Sequence, residues 1–310
     1  MNVLVIGGAG FIASNLVDAL LQEGYNLAVI DNLSTGARRS LSSSVKFYNL
    51  NILDNTLERA FQEFRPQIVF HYAAQVDVQT SITNPSLDAE ANIIGTLRVL
   101  QCCTDYGVRK LIYASTAAVY GTPKNLPLTE EHPNNPISFY GLSKLVPEKY
   151  IELFSEQYGL EYTILRFSNA YGIRQSSKGE GGVVSAFLSR LLRGENVVIY
   201  GDGNHSRDFI YVKDIVSANL QAITLGTNRV YNISCSRQTS INQLLETMCE
   251  LTGRPFQPTY CPARTGDIVH SRMDNYKARH ELGWEPKYSL EHGLEEMINY
   301  YFKNRSELQI

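Results

Sequence analysis

An α/β fold, in which a doubly wound parallel sheet carries a smaller C-terminal α/β lobe for substrate, is what the sequence predicts. Three observations predict it. Short β-branched runs alternate with helix-period segments through the first half, and a glycine cluster closes the first of those runs and opens a helix. After about Ala170 the rhythm gives way to glycine-rich turns, Gly179-Glu180-Gly181-Gly182 and Gly201-Asp202-Gly203, with shorter elements between them.

Taken in order, the strand-like runs fall at 2–7, 27–31, 45–49, 68–72, 110–115 and 162–167. Two long helices are predicted, at about 86–106 and 138–158; Pro147 lies inside the second and should kink it, because it removes one backbone hydrogen bond. Right-handed crossovers place every strand's C-terminal end on one edge, where ligands bind in such sheets. The 310 residues suit about two domains. Residues 1–170 form the nucleotide-binding part and 171–310 mainly the second lobe. The strand Arg229–Ile233 and a helix at 240–251 make 208–250 return in part to the first.

Composition narrows the functions. With 44% hydrophobic and 19% charged residues, a formal charge of −3 and no block of like charges, the chain is neither disordered nor built for a nucleic-acid surface. No stretch of 18 apolar residues occurs, so no spanning helix and no membrane partner is expected. Residues 1–6 run straight into glycines without a basic region or cleavage site and read as a strand, which gives a cytoplasmic expectation. Cys102, Cys103, Cys235, Cys249 and Cys261 are odd in number and lack a Cys-x-x-Cys pair, so they read as reduced, mostly buried thiols. The six histidines show no metal-ligand spacing, and His71 reads as a satisfied core histidine.

Gly7-Gly8-Ala9-Gly10-Phe11-Ile12-Ala13 is the first chemical signal. A tight turn there lets backbone N–H groups meet a pyrophosphate at a helix N-terminus, where unpaired donors and the helix dipole favour an anion. Asp31, 21 residues after Gly10 at the end of the second strand, can accept hydrogen bonds from an adenosine ribose and would repel a 2′-phosphate. The residues that follow, Asn32-Leu33-Ser34-Thr35-Gly36, include no arginine. The sheet is therefore of Rossmann type, and NAD is favoured over NADP.

Tyr140-Gly141-Leu142-Ser143-Lys144 is the second signal. An i, i+4 spacing puts phenol and ammonium on one helix face. A phenol is a poor base at neutral pH, but a neighbouring cation favours the phenolate. Upstream, Ala114-Ser115-Thr116-Ala117-Ala118-Val119-Tyr120-Gly121 leaves a strand end and presents the Thr116 hydroxyl at the cofactor edge, where it can bridge a substrate alcohol and the phenolate.

These motifs, with Leu165-Arg166-Phe167-Ser168-Asn169-Ala170-Tyr171-Gly172, Tyr200-Gly201-Asp202-Gly203, Arg207-Asp208-Phe209, Arg264-Thr265-Gly266-Asp267 and Leu282-Gly283-Trp284, resemble the extended short-chain dehydrogenase/reductases acting on nucleotide sugars, and among them the UDP-glucose 4-epimerases. The likeness covers nearly the whole chain. It implies catalytic roles for Thr116, Tyr140 and Lys144. It implies NAD contacts from Gly7, Gly10, Phe11, Ile12, Asp31, Asn32, Ser34, Thr35, Gly36, Ile52, Ala73 and Gln75, with Tyr140 and Lys144. For the UDP-sugar it implies Thr116, Asn169, Arg207, Arg264, Asp267 and Ser271, with Val183 and Tyr200 on the uracil side. It also implies a homodimer packed through the two long helices. The second lobe suits this reading chemically, since Arg207 and Arg264 can bind a diphosphate bidentately and Asp267 can accept from a ribose.

Related 4,6-dehydratases follow the threonine with Asp-Glu, and UDP-glucuronate decarboxylases place Glu at the second of those positions; here Ala117 and Ala118 stand there. Only oxidation at C4 and its reversal remain, so the expected product is an epimer. In the epimerases a bulky tyrosine at the position of Ser271 goes with rejection of N-acetylated sugars. The small serine leaves room for a 2-acetamido group, so UDP-GlcNAc and UDP-GalNAc are expected beside UDP-Glc and UDP-Gal; a loop serine with no say in specificity is the alternative. The chain departs from the pattern at Asn51, where Asp is expected beside the adenine, and over 179–184, which lacks an Asn-Leu pair. A UDP-glucuronate 4-epimerase or a net nucleotide-sugar reductase would use the same scaffold, and a non-catalytic NAD(H) sensor would need only the first motif.

Overall fold

The computed structural model describes residues 1–176, 182–263 and 268–304. At its centre is a sheet of seven strands: β1 (Asn2–Ile6), β2 (Asn26–Asp31), β3 (Lys46–Asn49), β4 (Ile68–His71), β5 (Lys110–Thr116), β6 (Glu161–Phe167) and β7 (Arg229–Ile233). They are all parallel, in the order β7-β6-β5-β4-β1-β2-β3. The order reverses between β1 and β4, so the crevice at the strands' C-terminal ends opens beside the glycine cluster. Val3, Leu4, Val5 and Ile6 have no exposed surface, which is why this strand reads as a continuous apolar run instead of an alternating one.

One face of the sheet packs on α1 (Phe11–Gln22) and on the helix Val212–Ala222, with Trp284 closing the end. The other face packs on the helices Leu57–Phe64, α2 (Gly95–Asp105) and α3 (Phe139–Tyr158). The first of the two long helices expected from the sequence is not uniform. It is an α-helical stretch at Pro85–Ala89, a π-helical turn at Glu90–Ile94 and then α2. The wide turn brings Asn92 inward until it is 1% exposed. The second long helix, α3, starts where the Ser138 hydroxyl accepts from Gly141 N at 3.0 Å and stops at Gly159, φ +72°. It runs through Pro147 without ending; the proline leaves the Ser143 carbonyl without its helical donor.

A buried ion pair clamps α3 to the sheet. The Glu148 carboxylate accepts from Arg166 of β6 at 2.6 and 3.1 Å and from the Ser115 hydroxyl of β5. Arg166 also donates to the Tyr120 hydroxyl at 2.9 Å, and that hydroxyl donates to Asn232 Oδ1 of β7 at 2.7 Å. Three strands and one helix thus share one network, closed to water, with Glu148 at 0% and Arg166 at 3% exposure.

The second lobe gathers the helices Val183–Arg193, Ile241–Thr252 and Leu290–Lys303 around Tyr171 and Tyr211, whose rings lie 5.4 Å apart. Ile241–Thr252 opens on a capping box formed by Ser240 and Gln243. Asp208 ties the lobe to the sheet, accepting from Cys235 N at 3.0 Å and Met273 N at 3.2 Å. Burial pushes its carboxyl up to about 7 against the pull of those N–H groups. All five cysteines are free thiols, with Cys102, Cys103 and Cys249 buried. Among the described residues no helix is long and apolar enough to cross a membrane.

Replacing Arg166 with Met leaves the Glu148 carboxylate buried and uncompensated, and is expected to lower unfolding free energy by about 3–5 kcal/mol. The double change Arg166→Met with Glu148→Leu should recover most of that loss. Urea denaturation of both variants measures the difference.

Candidate active site

The glycine loop is shaped by what crosses it. Gly7 has φ +78°, and a Cβ there would run into the backbone of Ala73, the first residue past Tyr72 at the end of β4. Gly10 caps α1 without any side-chain bond, so the N–H groups of the first turn stay open toward the crevice. Phe11 and Ile12 turn down from that helix start and pack against the second lobe. Asp31 ends β2, its two oxygens accepting from Ala9 N at 2.9 Å and Leu33 N at 2.7 Å. Burial raises its pKa, and the two N–H groups oppose the rise. Asn32 Oδ1 takes Ser34 N at 3.1 Å, and the loop through Thr35 folds back so closely that a Cβ on Gly36 would lie 2.7 Å from the Ala9 carbonyl carbon. Ile52, 7% exposed, fills the space left by Gly95 of α2. An open helix N-terminus, a side-chain-free approach and a carboxylate at the edge together fit a dinucleotide with an unphosphorylated adenosine ribose.

Thr116 is the last residue of β5, and its hydroxyl accepts from Ala118 N at 3.2 Å, starting a short 3₁₀ turn. Tyr140 and Lys144 stand one turn apart at the start of α3. Gly141, between them, backs directly on that 3₁₀ turn: a Cβ on it would sit 2.6 Å from the Ala118 carbonyl oxygen. The phenol-bearing turn and the threonine-capped turn are therefore in contact, at the same sheet edge as the glycine loop. Lys144 is 4% exposed, and burial pulls its pKa down to about 7 while Glu148 and Asp88 work to raise it.

The remaining sequence-predicted residues divide. Ala73 and Gln75 follow β4, and Gln75 is fixed through Asn92 Oδ1, which accepts its N–H at 2.7 Å, and Asp88 Oδ1, which accepts its side-chain amide at 2.8 Å. Asn169 sits just past β6, exposed, its N–H donating to the Asp208 carbonyl at 2.9 Å. Arg207 and Ser271 are neighbours through Ser206, whose carbonyl oxygen accepts from the Arg207 guanidinium at 2.9 Å and from Ser271 N at 3.1 Å. Val183 opens the helix Val183–Arg193, and Tyr200 is 42% exposed at the end of the strand Val198–Tyr200. Arg264 and Asp267 lie outside the described residues, as do 179–181 of the segment 179–184.

At Asn51, where the sequence departs from the expected Asp, the side chain accepts Leu53 N at 3.0 Å and holds the turn that presents Ile52. One feature corrects the sequence reading. His71 is satisfied on one nitrogen only, with Nε2 on Thr96 Oγ1 at 2.9 Å and Nδ1 without a partner. Sequence reasoning also missed Asn92 and Asp88. Asn92 Nδ2 donates to the Gln75 carbonyl at 2.8 Å and to Ser143 Oγ at 2.9 Å, so the cofactor loop and the Tyr140 helix are joined through the π-helical turn. Nothing in residue spacing signals such a turn. Glu148 was findable, since it extends the Tyr140, Lys144 stripe by one more i+4 step.

Comparison with known proteins agrees with this geometry. Residues 3–234 match the model of the NAD dependent epimerase/dehydratase family. The chain belongs to that family, and its cofactor is NAD. Its structural neighbours are UDP-sugar 4-epimerases of the extended short-chain dehydrogenase/reductase kind. The UDP-glucose 4-epimerase of Mycolicibacterium smegmatis is 37% identical over 314 residues, covering 99% of this chain and 100% of that protein. The crystal structure of the Thermotoga maritima UDP-glucose 4-epimerase with UDP-glucose is 47% identical at a TM-score of 0.96, covering 98% of this chain and 100% of that one. The Thermus thermophilus UDP-glucose 4-epimerase complex with NAD is 38% identical at 0.92, with 97% and 99% covered. Neighbours with other sugars include a UDP-N-acetylglucosamine 4-epimerase from Methanobrevibacter ruminantium, 34% identical at 0.93 with 98% of each chain covered.

Proposed function

We propose that this protein interconverts C4 epimers of a UDP-sugar by transient oxidation at that carbon, taking UDP-Glc and UDP-Gal and also UDP-GlcNAc and UDP-GalNAc. The observation that carries the reading is the contact of the Tyr140–Lys144 turn with the Thr116-capped turn at the edge of the dinucleotide cradle. Bound NAD supplies a reversible two-electron acceptor. Tyr140, as phenolate, takes the proton of the sugar 4-OH, and the charge of Lys144 favours that ionised form. Thr116 accepts from Ala118 N and so keeps its own proton for a bound alcohol or phenolate. Ala117 and Ala118 beside it supply no carboxylate from the two positions where the related dehydratases and decarboxylases carry one. Arg207 reaches the diphosphate, and the sugar is held loosely enough to turn before it is reduced.

Ser271 N donates to the Ser206 carbonyl, which puts the serine beside the strand that carries Arg207 and supports reading it as a neighbour of the sugar. The small side chain leaves space there for an acetamido group. A homodimer is part of the same proposal: Leu87 and Ile94 on the first long helix and Leu142 and Leu153 on α3 are 45–51% exposed, a stripe of apolar surface that a second copy would cover.

Incubation with UDP-Glc, UDP-GlcNAc and UDP-GlcA in turn, without added reductant, followed by proton NMR, should show 4-epimers of the first two and no net consumption of NADH. Tyr140→Phe should lower turnover by two to four orders of magnitude, in the range of a lost general base, and still bind UDP in calorimetry; undiminished epimerisation sinks the assignment. Ser271→Tyr should depress kcat/KM for the N-acetylated pair far more than for the hexose pair, and an unchanged ratio removes Ser271 from specificity. Leu153→Glu should shift the sedimentation velocity of the protein from dimer to monomer.

A further inference from the structure

We infer that the ring of Tyr113 is a positioning residue for this reaction, lying against the Lys144 ammonium and holding it as a cation where it can act on Tyr140. The inference rests on the roles proposed above for Tyr140 and Lys144.

Lys144 Nζ lies 4.3 Å from the centroid of the Tyr113 ring, well inside cation–π range. The lysine is 4% exposed, and burial is the first cause that pulls its pKa down. A desolvated ammonium in that state loses its proton readily unless something offsets the lost water. Two carboxylates stand near it, but both are engaged. Glu148, on the same helix, is bound by Arg166 and Ser115, and Asp88, from the helix packed across, accepts from Gln75 and Asn92. The ring is the partner in direct contact.

Tyr113 itself is placed for this task. It is the register partner of His71 across β4 and β5, so both rings lie on the sheet face that α3 covers, 5.7 Å apart and tilted at 46°. Thr96 Oγ1 donates to the Asn92 carbonyl at 2.6 Å, so the proton between Thr96 and His71 belongs to His71 Nε2. His71 is then neutral, held at about 3 by burial first and by the Lys144 charge second, and adds no repulsion of its own. The Tyr113 hydroxyl lies near Thr96 but has no partner in good hydrogen-bond geometry among the described residues, Thr96 Oγ1 being engaged with His71 and the Asn92 carbonyl. What remains of Tyr113 as a contribution is its aromatic face, and a phenylalanine would supply it equally.

The test varies that face without varying its shape. In the full-length NAD-loaded enzyme, position 113 is changed to Phe and then to mono-, di- and trifluorinated phenylalanine, which drains charge from the ring in steps. Lys144 is titrated by NMR of ¹³Cε-lysine, its signal assigned as the one absent from Lys144→Met, and the alkaline limb of the kcat profile is recorded for each form. Tyr113→Phe should leave both unchanged. Each added fluorine should move the lysine titration and the alkaline limb together to lower pH, by roughly tenfold in proton affinity across the series. Tyr113→Leu, or Tyr113→Met if Leu prevents folding, should shift them at least as far while the KM for UDP-sugar holds. A lysine titration that ignores fluorination overturns the ring's role, whatever turnover does, and a titration that moves without the alkaline limb overturns its part in the reaction. Full turnover in Lys144→Met, by contrast, would overturn the reading of Lys144 and leave the contact itself standing.

Discussion

The position of α3 depends on one buried ion pair. Glu148 and Arg166 meet where water is absent, and each would be costly to leave there alone. Satisfying both fixes the helix against β5 and β6 in rotation as well as height, because the same carboxylate also takes the Ser115 hydroxyl, one residue before Thr116. The stripe Tyr140, Lys144, Glu148 then has no freedom to turn away from the sheet edge. An arrangement of this kind specifies geometry more than it adds stability, and geometry is what a proton acceptor at a reacting carbon requires.

Close approach is the second theme. Gly7 under Ala73, Gly36 against Ala9, Gly95 around Ile52 and Gly141 against Ala118 are all places where two backbones or a backbone and a side chain occupy the space of a methyl group. Three of them bring the loops of β1, β2, β3 and β4 together over the crevice, and the fourth brings the phenol to the threonine. The cradle and the proton-handling residues are in this way packed as one unit, joined beneath by Asn92, which reaches both Gln75 and Ser143.

Much of this was legible in the sequence because the signals are local. Strands buried on both faces read as apolar β-branched runs, and the predicted bounds fall within about two residues of those observed. The glycine cluster, Asp31 at its fixed distance and the Tyr140–Lys144 spacing each report a single element whose geometry is standard. What the sequence hid is non-local or irregular. Glu148 and Arg166 lie 18 residues apart and pair only through packing. The π-helical turn at Glu90–Ile94 leaves the apolar pattern of a long helix intact while it changes which residue points inward. Asn51 departs from the pattern in residue type, and its part in the turn before Ile52 shows only in the hydrogen bond from Leu53 N.

The last strand of the sheet has a consequence for biosynthesis. β7 is encoded some sixty residues after β6, beyond the first helix of the second lobe, yet it completes the ladder on β6. Until residue 233 has left the ribosome, β6 is an open edge whose backbone donors and acceptors have no mate on that side, and the hydroxyl of Tyr120 has no Asn232 to bind. The nascent chain therefore cannot finish its nucleotide-binding half before nearly half of the remainder has emerged, and the interval is one in which a chaperone or a neighbouring ribosome's product meets an unfinished sheet.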